Sequence, residues 1–426
     1  MSATDMQISA RLAQGGAAWQ GGWSSAWTWG DSRPFGRLAA PLVTDTRRHD
    51  LDALRVAAIG LLILTHVSYI YRTDWWRVHS THAGLWANVL VDAMAPWRMS
   101  LVFFIAGAAT KFMLERQPVG AFITGRATRL LLPFAMTVIV LVPPMMWMTQ
   151  ADARGANYLD FLLAYAFQAR EALGVKLPDL GHAWFLPYLF VYCSGAALLM
   201  RFAPRGFEAV RREVEHLSAP AVMIVLALCY VAADAVMGPR RPITNMLIDD
   251  VTGHVRALPS FVLGLFLAHR SRFWTRLQRA RSWLGPLAAG LFLAVAGVAW
   301  MQTIWPGAMV LARLAGLVGG IYGAAMMMLV LALVSRRRMK PGSLLSYFSE
   351  AVMPIYLMHQ PAIVLAGKIL DRMGLPLWLE YGATLGFAAG APLLIYHFVI
   401  RPCGPLRMAF GLKAKTRSAA TASIPG

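Results

Sequence analysis

Charge is scarce in this sequence, and acidic charge most of all: only 14% of the 426 residues are Asp, Glu, Lys or Arg, with 21 acidic against 40 basic side chains. So little polar surface, set against 58% hydrophobic residues, excludes a soluble globular protein of this length and makes lipid the solvent. Cysteine is nearly absent. The three present, Cys193, Cys229 and Cys403, have the spacing of neither a zinc site nor a disulfide framework, so they are expected to pack in or beside apolar segments, and no metal site is expected. The first 50 residues hold no apolar stretch long enough for a signal peptide, which leaves the first span to act as the uncleaved insertion signal. No convincing repeat relates the two halves, and internal symmetry is the mark of many secondary transporters.

What the sequence does have is apolar runs of about 20 residues, the length a helix needs to cross roughly 30 Å of hydrocarbon. Ten are expected, at approximately 52–71, 87–113, 130–149, 184–202, 219–237, 255–268, 284–304, 308–334, 344–367 and 376–400. The sixth is the weakest, because Arg256 interrupts its start, and it is expected to be short or tilted. The expected fold is therefore all-α, a polytopic integral membrane protein of about ten transmembrane helices. Its parts are a disordered tail over 1–48, a membrane domain over 49–402 and a second tail over 403–426.

A net charge of +19 would point to nucleic acid in a soluble protein. Here the placement of the charges explains them better. Taking the N-terminus as cytoplasmic, the inside segments hold 5, 4, 4, 5, 4 and 5 basic residues and the outside loops 2, 3, 2, 0 and 2. Runs such as Arg270, Arg272, Arg276, Arg279 and Arg281, and Arg336 to Arg338, fall inside. This is the positive-inside asymmetry, and it puts both termini in the cytoplasm. In the N-terminal tail Trp19, Trp23 and Trp27 recur at spacing four, yet the glycines around them oppose a stable helix. The tail after Phe410 is short, basic and rich in Ala and Ser, and also reads as disordered.

Ionisable groups within a bilayer are expensive and mark function or specific pairing. Arg55 and His66 of the first span are eleven residues apart, which returns them to within roughly 20° of one face and about 16 Å apart along the axis. Arg126 and Arg129 share one face of a helical turn at the cytoplasmic entrance. Guanidinium forks suit phosphate oxygens, although the positive-inside rule accounts for this pair as well. The ninth span carries Ser349, Glu350, Tyr356, His359 and Gln360 and cannot face lipid all round. His359 lies about 22 Å along it, close to the depth of His66, so the two imidazoles could share a cavity. Asp92, Arg98, Asp234, Arg313, Glu380 and His397 stand at or near span ends and read mostly as pairing partners or interfacial anchors. Polar residues at this depth also suit a proton-coupled secondary transporter, the alternative reading.

Four blocks carry a resemblance to a known family. They are His49-Asp50-Leu51-Asp52-Ala53-Leu54-Arg55 followed by His66, then Leu101 to Gly107 (LVFFIAG) followed by Arg126-Ala127-Thr128-Arg129, then His182-Ala183-Trp184-Phe185-Leu186, and last Ser349 through Tyr356-Leu357-Met358-His359-Gln360-Pro361. In this order the chain resembles the acyltransferase-3 family of membrane acyltransferases, in its stand-alone branch that includes enzymes modifying periplasmic glucans. It departs from the family at Ala106 and Ser100, where Ser and Pro are common. The resemblance implies ten helices in the bacterial inner membrane. It implies an enzyme, transferring groups other than amino-acyl groups, that moves an acetyl- or succinyl-class acyl group from cytoplasmic acyl-CoA to a hydroxyl of a periplasmic or cell-envelope carbohydrate. No permanently bound cofactor is expected; acyl-CoA is the donor substrate. His66 is the expected catalytic histidine, and Arg55, Arg126 and Arg129 are expected near the donor. His182, Trp184, Ser349, Glu350, Tyr356 and His359 are expected to support the acceptor or the transition state. The expected partners are acyl-CoA, a glycan acceptor and the lipid bilayer, with no nucleic acid.

Overall fold

The computed structural model describes residues 49–74, 76–151, 157–167, 180–238, 242–335 and 342–413. The expected disorder of 1–48, with Trp19, Trp23 and Trp27, the basic run Arg336 to Arg338 and the tail beyond 413 lie outside the described residues. The elements run α1 (His49–Tyr69), α2 (Leu85–Leu114), α3 (Val119–Thr149), α4 (Tyr158–Phe167), α5 (Gly181–Phe202) and α6 (Pro204–His216). They continue as α7 (Ala219–Met237), α8 (Val251–Leu267), α9 (Ser271–Ile304), α10 (Met309–Val334), α11 (Ser343–Asp371), α12 (Leu377–Ile400) and α13 (Gly404–Ala409). Among the described residues every regular element is helical. Eight of them, α1, α2, α3, α5, α7, α9, α10 and α12, are long and apolar enough to cross a membrane. The chain is a polytopic, all-helical membrane protein.

Two expected spans, α8 and α11, fall outside those eight, and both have a physical reason. Helix α8 has 17 residues, starting at an Asp250 cap whose carboxylate accepts from the Gly253 amide at 3.0 Å. Arg256 does not interrupt it. Its guanidinium pairs with Asp234 of α7 and donates to the Pro96 carbonyl of α2 at 2.6 Å. Helix α11 has 29 residues but is too polar for a lipid-facing span. A helix enclosed by other helices need not be apolar, and Tyr356, Leu357, His359 and Gln360 of α11 are all buried.

Helices α2 and α8 pack backbone to backbone. A Cβ added at Gly107 would come to 2.0 Å from the Phe261 carbonyl oxygen, and one at Gly264 to 1.9 Å from that of Phe104. Small residues permit this closeness in membranes, where dispersion and packing replace the hydrophobic drive. Around the pair a core of Leu101, Phe104, Leu263, Tyr322 and Met328 joins α2 and α8 to α10. A second core joins Phe103, Phe185, Tyr192, Phe261 and Leu357.

The connection α6 is an amphipathic helix with no buried residues. Arg211 bridges Glu208 and Glu215, and Glu215 also pairs with Arg270 at the start of α9. The bonded Arg211 holds the Glu208 carboxyl below its ordinary value. The segment from 403 onward, expected as a tail, begins with a docked helix. Arg407 of α13 donates to Glu350 at 2.6 Å and to the Lys413 carbonyl at 2.9 Å. All three cysteines are free, with Cys193 buried against the Thr110 hydroxyl at 3.0 Å.

Candidate active site

His66 lies one turn before the end of α1, and its Nδ1 is 2.9 Å from the Leu62 carbonyl. A carbonyl only accepts, so Nδ1 carries the proton and the neutral ring presents the Nε2 lone pair. The ring faces protein rather than lipid. Its centroid is 5.0 Å from that of His359, 5.8 Å from Tyr69 and 6.4 Å from Trp76. The side chain is only half-buried, which leaves room beside it.

His359, fully buried on α11, repeats the arrangement. Its Nδ1 donates to the Tyr356 carbonyl at 2.6 Å, and its Nε2 is buried with no hydrogen-bond partner. His182 completes the group from the 3₁₀ turn that opens α5, with ring centroids 5.1 Å apart from His359. Its Nε2 donates to the Leu357 carbonyl at 2.8 Å, while Nδ1 lies 3.1 Å from Gln360 Oε1. A neutral His182 then needs the Gln360 amide turned with its NH₂ toward the ring. The Tyr356 hydroxyl donates to the His182 backbone carbonyl. Helix α11 thus grips the start of α5 through Tyr356, Leu357 and Gln360. Among the described residues no group of three or more His, Cys, Asp or Glu is placed to hold a metal ion.

At the other end of α1 the Arg55 side chain is accessible, although protein surrounds it, with Arg126, Arg129 and Asp52 within electrostatic reach. The three guanidinium groups repel one another, and Asp52 alone opposes them at Arg55. Arg126 donates to the Met113 sulfur at 3.0 Å, and its Nε is buried without a hydrogen-bond partner. An anion would relieve this concentration of positive charge.

The structure thus gathers Arg55, Arg126 and Arg129 at one end and His66, His359, His182 and Tyr356 at the other. Trp184 stacks edge-on against Tyr188, 5.2 Å between centroids, beside the second group. The Glu350 carboxylate is taken by Arg407 and by the Tyr396 hydroxyl at 3.0 Å. Ser349 has a buried hydroxyl with no partner, ten residues from His359 and about 15 Å away along the axis. Of the remaining polar residues, Asp92 pairs with Arg72 at 2.9 Å, Asp234 with Arg256, Glu380 with the Ser80 hydroxyl at 2.8 Å and His397 with the Tyr347 hydroxyl at 3.0 Å. Arg313 is exposed. Arg98 differs from what was expected of it: it lies mid-way along α2, 6% exposed, with Nε and Nη1 buried and unbonded. The sequence reading set Arg98 at or near a span end, among residues read mostly as pairing partners or anchors, although an arginine amid an apolar run was a signal of more, and it missed Tyr69 and Trp76, which carry none.

An all-helical membrane bundle that holds imidazoles inside itself, with Arg55 of α1 and Arg126 and Arg129 of α3 gathered near the other end of α1, is an integral membrane protein suited to chemistry on a polar substrate. A family profile described as an acyltransferase domain, that of acyltransferase-3, matches residues 48–397. The chain belongs to this family and is an acyltransferase. Among curated proteins it is similar to glucans biosynthesis protein C of Escherichia coli O1:K1 / APEC and of Escherichia coli strain K12. Each is 24% identical over 371 residues, covering 83% of this chain and 92% of the relative. No solved structure matches the chain.

Proposed function

We propose that this protein takes an acyl group of the acetyl or succinyl class from cytoplasmic acyl-CoA and transfers it to a hydroxyl of a periplasmic or cell-envelope carbohydrate, with His66 as general base. Both termini are cytoplasmic and the bilayer is the bacterial inner membrane. The carbohydrate acceptor follows the name of the relatives, and the orientation follows the distribution of Arg and Lys. The observation that carries the reading is the contact of His66 Nδ1 with the Leu62 carbonyl, which assigns the proton of the neutral ring to Nδ1. With Nδ1 committed to Leu62, Nε2 is free to take a proton at a point enclosed by other side chains.

The negatively charged nucleotide end of the donor binds Arg55, Arg126 and Arg129, and its extended arm reaches along α1 toward His66, about 16 Å away. His66 Nε2 removes the proton of the acceptor hydroxyl as the oxygen attacks the thioester carbonyl. The C–S bond then breaks, and the same proton passes from His66 to the departing thiolate. His359, held beside His66 with an unprotonated Nε2, accepts a hydrogen bond from a neighbouring hydroxyl of the acceptor and so orients it. Trp184 offers an aromatic face of the kind a sugar ring packs against.

The test is reconstitution. The purified protein in proteoliposomes, given radiolabelled acetyl-CoA or succinyl-CoA, is expected to move label onto a soluble glucan, and the product ester is read by mass spectrometry. Envelope glycans from cells lacking the protein are expected to lose the same ester. Unchanged glycans, together with no label transfer from either donor, would refute the proposal.

A further inference from the structure

Arg98 is used by no step described so far. A guanidinium this deeply buried, with two N–H groups making no hydrogen bond, carries a desolvation penalty that no hydrogen bond at those two atoms offsets. By contrast, the buried cation Arg256 has both Asp234 and the Pro96 carbonyl. Arg98 is also close to the chemistry, with His66, His359 and Tyr69 within its electrostatic reach. The Thr65 hydroxyl, next to His66, donates to the Leu61 carbonyl at 2.7 Å and lies 3.5 Å from the Met94 sulfur. That contact sets Met94 level with the histidine and puts Arg98 one helical turn further toward the Arg55 end, beside the stretch of α1 between Arg55 and His66.

Acyl transfer through a tetrahedral intermediate needs donors aimed at the oxygen that becomes negative. Three polar groups of α11 are unsuited. The Tyr356 hydroxyl is spent on the His182 carbonyl, and His359 Nε2 has no proton when Nδ1 donates to Tyr356. Ser349 lies about 15 Å down α11.

We propose that Arg98 is the oxyanion ligand of this enzyme. As the acceptor oxygen bonds to the thioester carbon, the carbonyl π electrons move onto its oxygen, and Nε–H and Nη1–H of Arg98 donate to that oxyanion. The electrons return when the C–S bond breaks, and the thiolate takes the proton held by His66. The inference rests on the acyl-CoA reading above and deepens it.

The experiment compares wild type, Arg98→Met and Arg98→Lys in the proteoliposome assay with acetyl-CoA and with succinyl-CoA, and follows thermal unfolding in detergent. Arg98→Met is expected to lower kcat by about 100- to 1,000-fold with both donors, leaving the KM for each nearly unchanged. Its unfolding midpoint is expected to match or exceed that of wild type, because an unpaired buried cation is removed. A merely structural arginine would lower the midpoint and leave kcat intact. Arg98→Lys, which keeps the charge but not the fork, is expected to recover part of kcat. The proposal is overturned by a folded Arg98→Met with wild-type kcat. It is also overturned by a loss confined to succinyl-CoA and seen in KM, which would make Arg98 a site for the carboxylate of the acyl group. If Arg98→Met does not fold, Arg98→Lys decides: kcat slowed with both donors supports the role, and wild-type kcat overturns it. A wild type inactive with both donors fails the acyl-CoA reading itself, whereas an active wild type beside an unaffected Arg98 variant fails this inference alone.

Discussion

Replacing His66 with alanine separates catalysis from folding, because the structure assigns the two very different magnitudes. A positioned general base contributes about 10²–10⁴ in rate, equivalent to about 2.7–5.5 kcal/mol of transition-state stabilisation. The cost to the fold is far smaller. The one hydrogen bond of the ring goes to the Leu62 carbonyl, which as an i−4 acceptor within α1 keeps the backbone amide of residue 66. No buried group is orphaned, and the side chain is half-buried against Tyr69, Trp76 and His359, so about 1 kcal/mol of stability is at stake. The assay is label transfer from acyl-CoA in proteoliposomes, run beside size-exclusion chromatography and thermal unfolding. His66→Ala is expected to elute and melt close to wild type while transfer falls by at least about 100-fold. His359, with its centroid 5.0 Å away and a free Nε2, can act as a substitute base, so any residual activity is expected to vanish in the double variant with His359→Ala. Retention of wild-type activity by His66→Ala would refute the assignment of His66 as the general base.

Three further outcomes are expected. Arg126→Ala or Arg129→Ala should raise the KM for acyl-CoA by about 10- to 100-fold, the worth of a charge-assisted hydrogen bond, and leave the KM for the acceptor unchanged; steady-state kinetics with each substrate varied would show equal shifts if these arginines serve topology alone. Gly107→Val should destabilise the bundle by more than about 1–3 kcal/mol, because the first added carbon meets the Phe261 carbonyl at 2.0 Å and backbone cannot rotate away; a detergent unfolding midpoint equal to wild type would contradict the α2–α8 packing. Glu350→Gln should cost at most about 1 kcal/mol, as expected of a partly exposed ion pair. It should loosen α13 in hydrogen exchange and leave kcat intact, and a tenfold fall in kcat (about 1.4 kcal/mol) would place Glu350 in the reaction instead.

Much of the architecture was legible because lipid imposes it one segment at a time. A run such as 308–334 must be a helix spanning the bilayer whatever surrounds it, and the observed Met309–Val334 follows from length and composition alone. The same logic weakened at Val251–Leu267 and Ser343–Asp371, whose surroundings are protein. Polar residues are tolerated there once neighbours supply partners, as Asp234 and Pro96 do for Arg256, and only the assembled bundle shows those partners. Helix α13 escaped notice because its anchor, Glu350, lies 57 residues earlier in the chain.

By itself the sequence determined an all-helical membrane protein, the facial alignment of Arg55 with His66 and the equal depths of His66 and His359, because each is a matter of helical rise and rotation within one segment. Tertiary structure decided what lies beside what: that the two imidazoles are 5.0 Å apart, that His182 is clamped by Leu357 and Gln360, and that Arg98 makes no hydrogen bond through Nε or Nη1 while Arg72 pairs with Asp92 and Arg256 with Asp234. The reason is physical. Periodicity specifies the direction and height of a side chain on its own helix, whereas its neighbours depend on which helices touch, and that is set by packing details such as the close approach at Gly107 and Gly264.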